Sequence, residues 1–327
     1  MSPHMSPHCC PPGRPGDHPA VSFSAPVPVT AFEGNGHGDR ASAIRIPGGT
    51  FLMGSDDPDA NPDDGEGPVR AVTVAPFAID AHCVTNERFA AFVEATGYRT
   101  EAERFGWSYV FATFASGELR RISARPKSTP WWCGVQGAYW AAPEGPGSDL
   151  SGRSDHPVVH VSWTDASAFC QWEGSRLPTE PEWEYAARGG LEGKRFPWGD
   201  ELTPGGEHRC NIWQGRFPSH NTAEDGYLGT APATAYQPNG YGLYNVAGNV
   251  WEWCADRWAT TPSRAEGSCT TPADPRQGAE RVLRGGSYLC HDSYCNRYRV
   301  AARTSNSPDS SSGNTGFRVA WTTPPGP

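Results

Sequence analysis

The chain has 327 residues, of which 37% are hydrophobic, and its formal net charge at pH 7 is −9. This acidic balance, without a basic stripe, excludes the electrostatic surface of a typical nucleic-acid-binding protein. No apolar run approaches membrane-spanning length. With 13 Trp, 11 Tyr and 13 Phe beside 38 Gly and 32 Pro, the composition is typical of a folded protein with an aromatic core and many turns.

The first 40 residues are predicted to be a disordered leader. A tandem repeat, MSPHMSPH, is followed by a tract rich in Pro, Gly and His. Metal binding by its histidines and by Cys9 and Cys10 is the alternative. The leader lacks the apolar middle of a secretory signal, so we expect the protein to be cytoplasmic and its cysteines to remain mostly thiols. Residues 41–327 are predicted to form a single domain.

Strand patterns open this domain. The segment IRIPGGTFLMGS alternates apolar residues around a Pro-Gly-Gly turn, which predicts a hairpin. The segment VRAVTVAPFAID has a second strand pattern.

Three helices are predicted next, from their caps and apolar periodicity, at residues 85–97, 164–174 and 178–190. Thr85 or Asn86 is expected to cap the first helix and Thr164 the second. No helix is predicted after residue 190, where long turn-rich segments alternate with short aromatic ones.

The third helix has the clearest start. Thr179 and Glu182 form a capping box at its beginning. Its apolar face is formed by Trp183, Ala186 and Ala187, and its glutamates are therefore expected to face solvent.

Two turn-rich segments carry oxygen ligands suited to calcium. In NIWQGRFPSHNTAEDGY, Asn211 and Asp225 offer side-chain oxygens, and in YNVAGNVWEW, Asn245 and Glu252 flank a glycine turn. Long loops in a compact domain are usually functional or are held in place by specific contacts, and bound cations would provide such contacts. Asx turns and ordinary loop capping explain the same residues.

A pair of cysteines stands in the segment GGSYLCHDSYCNRYR. The spacing of Cys290 and Cys295 is too wide for a C-x-x-C redox pair, and no second pair completes a zinc site. Two soft thiolates suit low-coordinate copper(I). A reversible disulfide is one alternative, and it is the one that the spacing alone favours, because Arg297 and Arg299 would lower the pKa of the nearby thiols. Two inert thiols are the other alternative.

Four segments resemble the formylglycine-generating enzymes, the sulfatase-modifying factors. They are SRLPTEPEWEYAARGG, PWGDELTPGGEHRCNIWQGRFP, NGYGLYNVAGNVWEW and RVLRGGSYLCHDSYCNRYRVAARTSNSPDSSSGNTGFRVA. The similarity extends from about residue 44 to residue 322. Most of these motifs mark the wider superfamily, whereas the pair Cys290 and Cys295 is specific to the enzymes themselves.

The resemblance implies an α+β fold that is a variant of the C-type lectin fold, low in regular secondary structure, in a monomeric protein. It implies oxygen-dependent oxidation of the cysteine in a C-x-P-x-R motif of an unfolded sulfatase to Cα-formylglycine. In the family the paired cysteines bind copper(I), and the substrate thiol joins as third ligand. Applied to this sequence, the resemblance implies that Cys290 and Cys295 hold the copper and that Ser287 lies beside the oxygen pocket.

The resemblance also implies two structural calcium sites and a peptide groove. The first calcium site comprises Asn211, Asp225 and the carbonyls of Ile212 and Tyr227. The second comprises Asn245, Glu252 and the carbonyls of Gly248 and Val250. The groove is lined by Trp251, Tyr294, Asn314, Ser311 and Ser108. Core packing is the alternative role for Trp251 and Tyr294.

The sequence departs from the family pattern in two places. Trp107 stands where some relatives carry an aspartate that pairs with the substrate arginine, and an indole can instead stack on a guanidinium. Ala187, Val300 and Val319 occupy positions of structural cysteines in secretory relatives. Cys170 is therefore left unpaired, in agreement with a reducing cytoplasm.

Three other functions fit parts of the sequence. A lectin-like peptide- or ligand-binding module would share the superfamily motifs but has no use for the thiol pair. An iron-dependent sulfoxide synthase would need a further helical domain, for which the segment before residue 44 is too short. A metal-free thiol switch predicts a functional bond between Cys290 and Cys295.

Overall fold

The computed structural model describes residues 11–13, 42–260 and 280–322. Helices within these ranges are α1 Asn86–Thr96, α2 Glu101–Phe105, α3 Gly117–Ile122, α4 Trp163–Glu173 and α5 Glu180–Arg188. The strands are β1 Ala43–Ile46, β2 Gly49–Met53, β3 Arg70–Val74, β4 Phe77–Asp80, β5 Trp107–Phe111, β6 Trp132–Gln136, β7 Gly215–Arg216, β8 His220–Asn221, β9 Trp251–Arg257, β10 Arg281–Arg284, β11 Arg303–Asn306, β12 Thr315–Gly316 and β13 Ala320–Thr322. None of the helices described is long and apolar enough to cross a membrane.

Two small sheets and three strand pairs organise the described chain. One antiparallel sheet has the order β1–β4–β13, and a four-stranded sheet has the order β11–β10–β9–β12, with β12 parallel to β9. Strands β2–β3, β5–β6 and β7–β8 form antiparallel pairs. The architecture is α+β and low in regular structure, which confirms the predicted fold class.

The hairpin predicted at the start of the domain is wrong. Strand β1 pairs with β4, and β2 pairs with β3, so the two halves of the predicted hairpin join different sheets. Gly48 and Gly49, at φ 70° and 137°, carry the chain from one sheet to the other. A Cβ on Gly48 would lie 2.6 Å from the carbonyl oxygen of Val74, so the close approach of β3 requires glycine there.

The three long helices confirm the predicted pattern with one shifted boundary. Thr85 accepts a hydrogen bond from the Arg88 amide at the start of α1, and Thr179 begins α5 with the expected capping box. Helix α4 begins earlier than predicted, because Ser162 and Asp165 form a capping box ahead of Thr164. The short helices α2 and α3 were not predicted, since each has too few residues to show a period.

Aromatic side chains form the main core, as the composition predicted. The ring of Phe89 on α1 lies 5.4 Å from Phe92 and 6.0 Å from Phe169 on α4. Phe317, just before β13, packs 5.4 Å from Phe169. These contacts join α1, α4 and the segment leading into β13.

The glutamates of α5 do not face solvent as expected. Glu180 lies 2.8 Å from Arg284 and 2.7 Å from Arg303, and Glu184 lies 2.5 Å from Arg284 and 2.7 Å from Arg188. Burial disfavours the charged form of Glu184, yet Arg284 and Arg188 hold the pKa of its carboxyl below the usual range. The prediction failed because β10 and β11 place arginines beneath the helix, which its own periodicity cannot reveal.

Most of the predicted leader, including Cys9 and Cys10, lies outside the described residues. Residues 11–13 are described, and Pro11 is buried. The side-chain amide of Asn306 donates a hydrogen bond to the carbonyl of Pro11 at 3.0 Å. Cys170 is buried and forms no disulfide with another described cysteine, and burial raises the pKa of its thiol to about 12.

Candidate functional site

The segment of residues 285–299, here named the thiol loop, follows β10 directly. Gly285 and Gly286 begin it with φ values of 93° and 77°. A Cβ on Gly286 would lie 2.7 Å from the carbonyl oxygen of Arg297, so the two ends of the loop touch at a point where only glycine fits. The closed loop holds both predicted thiols between its ends.

The two thiols of this loop are buried in one apolar cluster. Cys290 is 1% exposed and Cys295 is 7% exposed. The amide of Ser287 donates to the Cys290 sulfur at 3.4 Å, and the Cys295 amide donates to the carbonyl of His291 at 2.9 Å. Tyr298 belongs to the same buried cluster, and burial raises the pKa of its phenol. The structure therefore places both predicted thiols in one buried cluster with Tyr298.

The two arginines of the loop are paired with carboxylates. Arg297 lies 2.6 Å from Asp64, and Arg299 holds Glu66 through two contacts of 2.5 and 2.8 Å. All four side chains are buried. The charges of both arginines are therefore matched by carboxylates of the segment before β3.

A second loop, residues 307–314, is here named the serine loop. The side-chain amide nitrogen of Asn314, Nδ2, donates to the hydroxyl of Ser287 at 3.0 Å, and the hydroxyl of Ser312 donates to the side-chain oxygen of Asn314, Oδ1, at 2.7 Å. Asn314 is fully buried, and its backbone carbonyl accepts from the amide of Trp251. Two of the predicted site residues, Ser287 and Asn314, are therefore in direct contact.

Ser108 and Ser311 form a second contact among the predicted residues. Their hydroxyl oxygens lie 2.8 Å apart, and Ser108 also donates to the carbonyl of Ser311 at 3.0 Å. A ring nitrogen of His160, Nδ1, lies 2.8 Å from the Ser108 hydroxyl. His160 was missed by the sequence analysis, because no motif marks it.

The two aromatic groove candidates occupy different environments. The ring of Tyr294 stacks on Phe217 at 4.3 Å and meets Trp131 edge to face at 5.0 Å. Trp251 is fully buried in the main core. Trp107 lies on β5 next to Ser108, and its ring contacts Tyr109 at 4.9 Å.

A partly open cavity of about 230 Å³ lies beside these loops. His160, Tyr288 and Gly313 line the side that faces the two loops, and Arg153 and Glu144 line another part. The hydroxyl of Tyr288 donates to the carbonyl of Gly313 at 3.0 Å, which joins the thiol loop to the serine loop along the cavity wall.

The four residues predicted for the first calcium site lie together. Asp225 accepts from the amide of Ile212 at 2.9 Å and from the amide of Tyr227 at 3.2 Å. The side-chain oxygen of Asn211 is buried and has no hydrogen-bond partner among the described residues. Burial raises the pKa of the Asp225 carboxyl. A bound cation would lower this pKa again, because it favours the charged carboxylate. An unpaired amide oxygen beside a desolvated carboxylate fits calcium.

The residues predicted for the second calcium site fit a cation less well. The side-chain oxygen of Asn245 is likewise buried and without a partner in the described part of the chain. Both oxygens of Glu252, however, are bound by Arg318 at 2.6 and 2.7 Å, and the indole of Trp183 donates to one of them. A cation there would have to share this carboxylate with a guanidinium.

The two predicted calcium segments are neighbours. The backbone of Asn211 pairs with that of Gly248, and the side chain of Asn249 accepts from the Asn211 amide at 3.2 Å. Asn249 was missed by the sequence analysis. Among residues 11–13, 42–260 and 280–322, no group of three or more His, Cys, Asp or Glu side chains is placed to hold a metal ion.

The chain was compared with known families, proteins and structures. Residues 28–323 match the family described as "Sulfatase-modifying factor enzyme 1-like domain". The chain is 62% identical to a formylglycine-generating enzyme of Thermomonospora curvata over 85% of this chain and 92% of the relative, and 49% identical to an inactive C-alpha-formylglycine-generating enzyme 2 of Bos taurus over 87% and 89%. The solved structure of PvdO from Pseudomonas aeruginosa is similar with a TM-score of 0.59 and 26% identity, over 86% of this chain and 94% of that chain. The chain therefore belongs to the sulfatase-modifying factor enzyme 1-like family.

Proposed function

We propose that this protein is a formylglycine-generating oxidase that activates sulfatases. Its substrate is the cysteine of a C-x-P-x-R motif in an unfolded sulfatase polypeptide, which it converts to Cα-formylglycine with O2 as the oxidant. The observation that carries the proposal is the buried pair Cys290 and Cys295 in a loop whose Ser287 is held by Asn314. A lectin-like binding module has no chemical use for such a pair.

The donor set of the thiol loop fits copper(I). Two soft sulfurs are surrounded by aromatic side chains, and the described residues offer no additional carboxylate or imidazole cluster that would favour a harder ion. Cys290 and Cys295 would hold the metal as thiolates. Copper(I) held there would supply the redox chemistry for the substrate thiol.

The residues around the thiols prepare the site. The amide of Ser287 points at the Cys290 sulfur and stabilises negative charge there. Asn314 fixes the Ser287 hydroxyl, and burial of both loops excludes water from the reacting cysteine. The C–S bond of the substrate cysteine breaks and its sulfur leaves as hydrogen sulfide, while the carbon gives up two electrons and becomes the aldehyde. An external reductant supplies two further electrons and two protons, so that one O2 is consumed and, in the overall balance, one water is released with the aldehyde and the sulfide.

Calcium is proposed as a structural ion at both predicted sites. The unpaired oxygen of Asn211 beside Asp225 supports the first site. Asn245 supports the second, where the ion pair between Glu252 and Arg318 is expected to weaken binding. The ions would hold in place long segments that have little regular secondary structure.

The substrate peptide is proposed to lie along Ser108, Ser311 and Tyr294. Tyr294 lies in the thiol loop and Ser311 in the serine loop, and the hydroxyl of Ser108 is hydrogen-bonded to that of Ser311. An extended chain would pack on the aromatic face of Tyr294 and take up hydrogen bonds of the two hydroxyls. Trp107 is proposed to stack on the substrate arginine. We further propose a monomeric protein of the cytoplasm.

A non-catalytic binding module is the second candidate. The Bos taurus relative that is named inactive is 49% identical to this chain, so family membership alone does not imply turnover. The two candidates differ in one requirement, because only the oxidase depends on both thiols of the thiol loop.

The test is a turnover assay with a short peptide containing Leu-Cys-x-Pro-x-Arg, oxygen and a reductant, with and without added copper. Mass spectrometry follows loss of the thiol and appearance of an aldehyde, which a hydroxylamine reagent captures. We expect copper-dependent aldehyde from the unmodified protein and none from Cys290→Ser or Cys295→Ser. Cys170→Ser is the matched control, since Cys170 is an equally buried thiol on α4, and it should retain activity.

Failure has a definite meaning. If the folded protein binds the peptide but yields no aldehyde at any copper concentration, the binding module replaces the oxidase. If both thiol variants keep full activity, the thiol loop is not the catalytic centre.

A further inference from the structure

His160 has an unusual backbone conformation inside the protein. It is fully buried, and its φ of 59° lies in the left-handed region that residues other than glycine rarely adopt. It stands between Val158, whose amide donates to the carbonyl of Val84, and Ser162, which caps α4. A conformation of this kind persists only where the surrounding contacts require it, and such residues cluster at functional sites.

The contacts of His160 converge on the serine loop. Its backbone amide donates to the carbonyl of Ser312 at 2.9 Å. Its ring nitrogen Nδ1 lies 2.8 Å from the hydroxyl of Ser108, which donates to the carbonyl of Ser311 at 3.0 Å. A Cβ on Gly313 would lie 3.3 Å from the other ring nitrogen, Nε2, so the imidazole packs closely beside that glycine. Three consecutive residues of the serine loop are therefore held by this one histidine, directly or through Ser108.

The hydroxyl of Ser108 determines which tautomer of His160 fits. This hydroxyl has a single proton, which it donates to the carbonyl of Ser311, a group that can only accept. The hydroxyl of Ser311, 2.8 Å away, and Nδ1 of His160 must then donate to the Ser108 oxygen. The network therefore requires a proton on Nδ1, and the bond that Nδ1 donates orients Ser108 toward the serine loop.

The next residue of the serine loop reaches the thiol loop. The hydroxyl of Ser312 donates to the side-chain oxygen of Asn314 at 2.7 Å, and the side-chain nitrogen of Asn314 donates to the hydroxyl of Ser287 at 3.0 Å. A displacement of residues 311–313 would therefore carry Asn314 with it and release Ser287. A small misplacement of a reacting group can lower a rate by orders of magnitude, even when its cause lies far from the chemistry.

We propose that His160 is a positioning residue for the reaction and acts through Ser108 and the serine loop on Asn314, an inference that rests on the proposed function. The hydrogen bond from Nδ1 keeps residues 311–313 in the arrangement in which Asn314 donates to Ser287. Loss of this bond lowers kcat, because the Ser287 hydroxyl is no longer fixed beside the thiols.

The experiment compares variants of the full chain in the aldehyde assay. We expect His160→Phe, which keeps a ring but has no Nδ1, to lower kcat about fivefold. His160→Asn should restore most of this activity, because asparagine tolerates a positive φ and its amide nitrogen can donate to Ser108. His156→Phe is the matched control and should keep full activity, since the ring of His156 lies in the same segment but bonds the hydroxyl of Thr230.

A double variant tests whether His160 acts through Asn314. Asn314→Ala alone should lower kcat about tenfold, and the addition of His160→Phe should cause little further loss, because the affected contact is already gone. Independent effects would instead multiply to about fiftyfold.

Hydrogen exchange of the copper-free chain, followed by mass spectrometry, gives a readout that does not depend on turnover. The amide of Gly313 donates to the carbonyl of Tyr109 at 3.0 Å, so its exchange reports on the position of the serine loop. It should exchange faster in His160→Phe than in the unmodified chain, and at the unmodified rate in His160→Asn and His156→Phe.

Each outcome decides the inference. If His160→Phe keeps the kcat and the hydrogen exchange of the unmodified chain, or if its loss multiplies with that of Asn314→Ala, His160 is not a positioning residue and the oxidase stands. If thermal unfolding shows that His160→Phe does not fold, Ser108→Ala is judged by the same expectations, since it removes the same hydrogen bond without changing residue 160. Absence of aldehyde from the unmodified chain overturns the proposed function and this inference with it.

Discussion

The side-chain amide of Asn314 donates a hydrogen bond to the hydroxyl of Ser287 at 3.0 Å, although the two residues belong to different loops. The bond joins the serine loop to the thiol loop inside the protein. Asn314 is itself oriented by Ser312, so the position of the Ser287 hydroxyl depends on a chain of buried hydrogen bonds.

Asn314→Ala should lower kcat about tenfold, because the buried Ser287 hydroxyl loses its donor and its fixed position. Initial rates in the aldehyde assay give kcat and KM, and thermal unfolding checks the fold. Ser312→Ala, which only orients the amide, should have a smaller effect. An unchanged kcat in Asn314→Ala would remove Ser287 from the proposed chemistry.

Arg284→Met should destabilise the fold by about 3 to 5 kcal/mol, because it leaves Glu180 and Glu184 buried with one counter-charge removed. Urea denaturation followed by tryptophan fluorescence measures the change. Lys194→Met is the matched control, since its pair with Asp200 is exposed and should contribute little to stability. Equal losses in the two variants would contradict a structural role for the buried network.

Removal of calcium should lower the melting temperature by about 5 °C, if the first site is occupied near saturation. Differential scanning calorimetry with and without EGTA measures the shift. Asp225→Asn should melt at the lower temperature and lose its response to calcium, because a cation ligand is gone. Asp200→Asn, an exposed carboxylate variant, should keep the response, and a loss there would point to an unspecific effect of charge.

The stability of the protein should fall between about pH 4 and pH 6 through Asp256. Burial raises the pKa of this carboxyl to about 6, above its value in an unfolded chain, so the folded state binds the proton more tightly and loses stability as the pH rises. The carboxylate accepts the Glu180 amide at 2.6 Å, and an asparagine oxygen can accept the same bond. Asp256→Asn should therefore be more stable than the unmodified protein at pH 8, by about 1 to 2 kcal/mol, and equally stable at pH 4.

Denaturant titrations of both proteins at pH 4, 6 and 8 test this prediction. A stability difference that is constant across the three values would show that the asparagine acts through packing and not through a proton.

Local sequence signals predicted the helices whose capping residues stand next to them in the sequence. Thr85 and Thr179 each bind a backbone amide within one helical turn, so both partners of the capping hydrogen bond can be found in a short stretch of sequence. The same reasoning chose Thr164 where Ser162 caps α4, because both residue types fit and only packing decides. The thiol pair and its serine were predictable by resemblance to a family.

Partners distant in sequence were not predictable. Glu180 forms ion pairs with Arg284 and Arg303, which lie more than a hundred positions later in the sequence. His160 contacts Ser108, and no sequence motif marks the bend in the chain that places it there. The start of the domain shows the same limit, since β1 and β2 look like a hairpin but find partners in β4 and β3. Pairing across the chain is fixed by the assembled core and not by a local pattern.

The central position of β4 has a consequence for biosynthesis. Strand β4 ends at Asp80, whereas its partner β13 begins at Ala320, 240 positions later. While the ribosome makes the intervening chain, one edge of β4, with Phe77 and Ile79, has no strand to pair with and is a template for intermolecular association. The yield of active protein in a cell should therefore depend on the speed of translation and on chaperones that cover this strand before residue 320 has emerged.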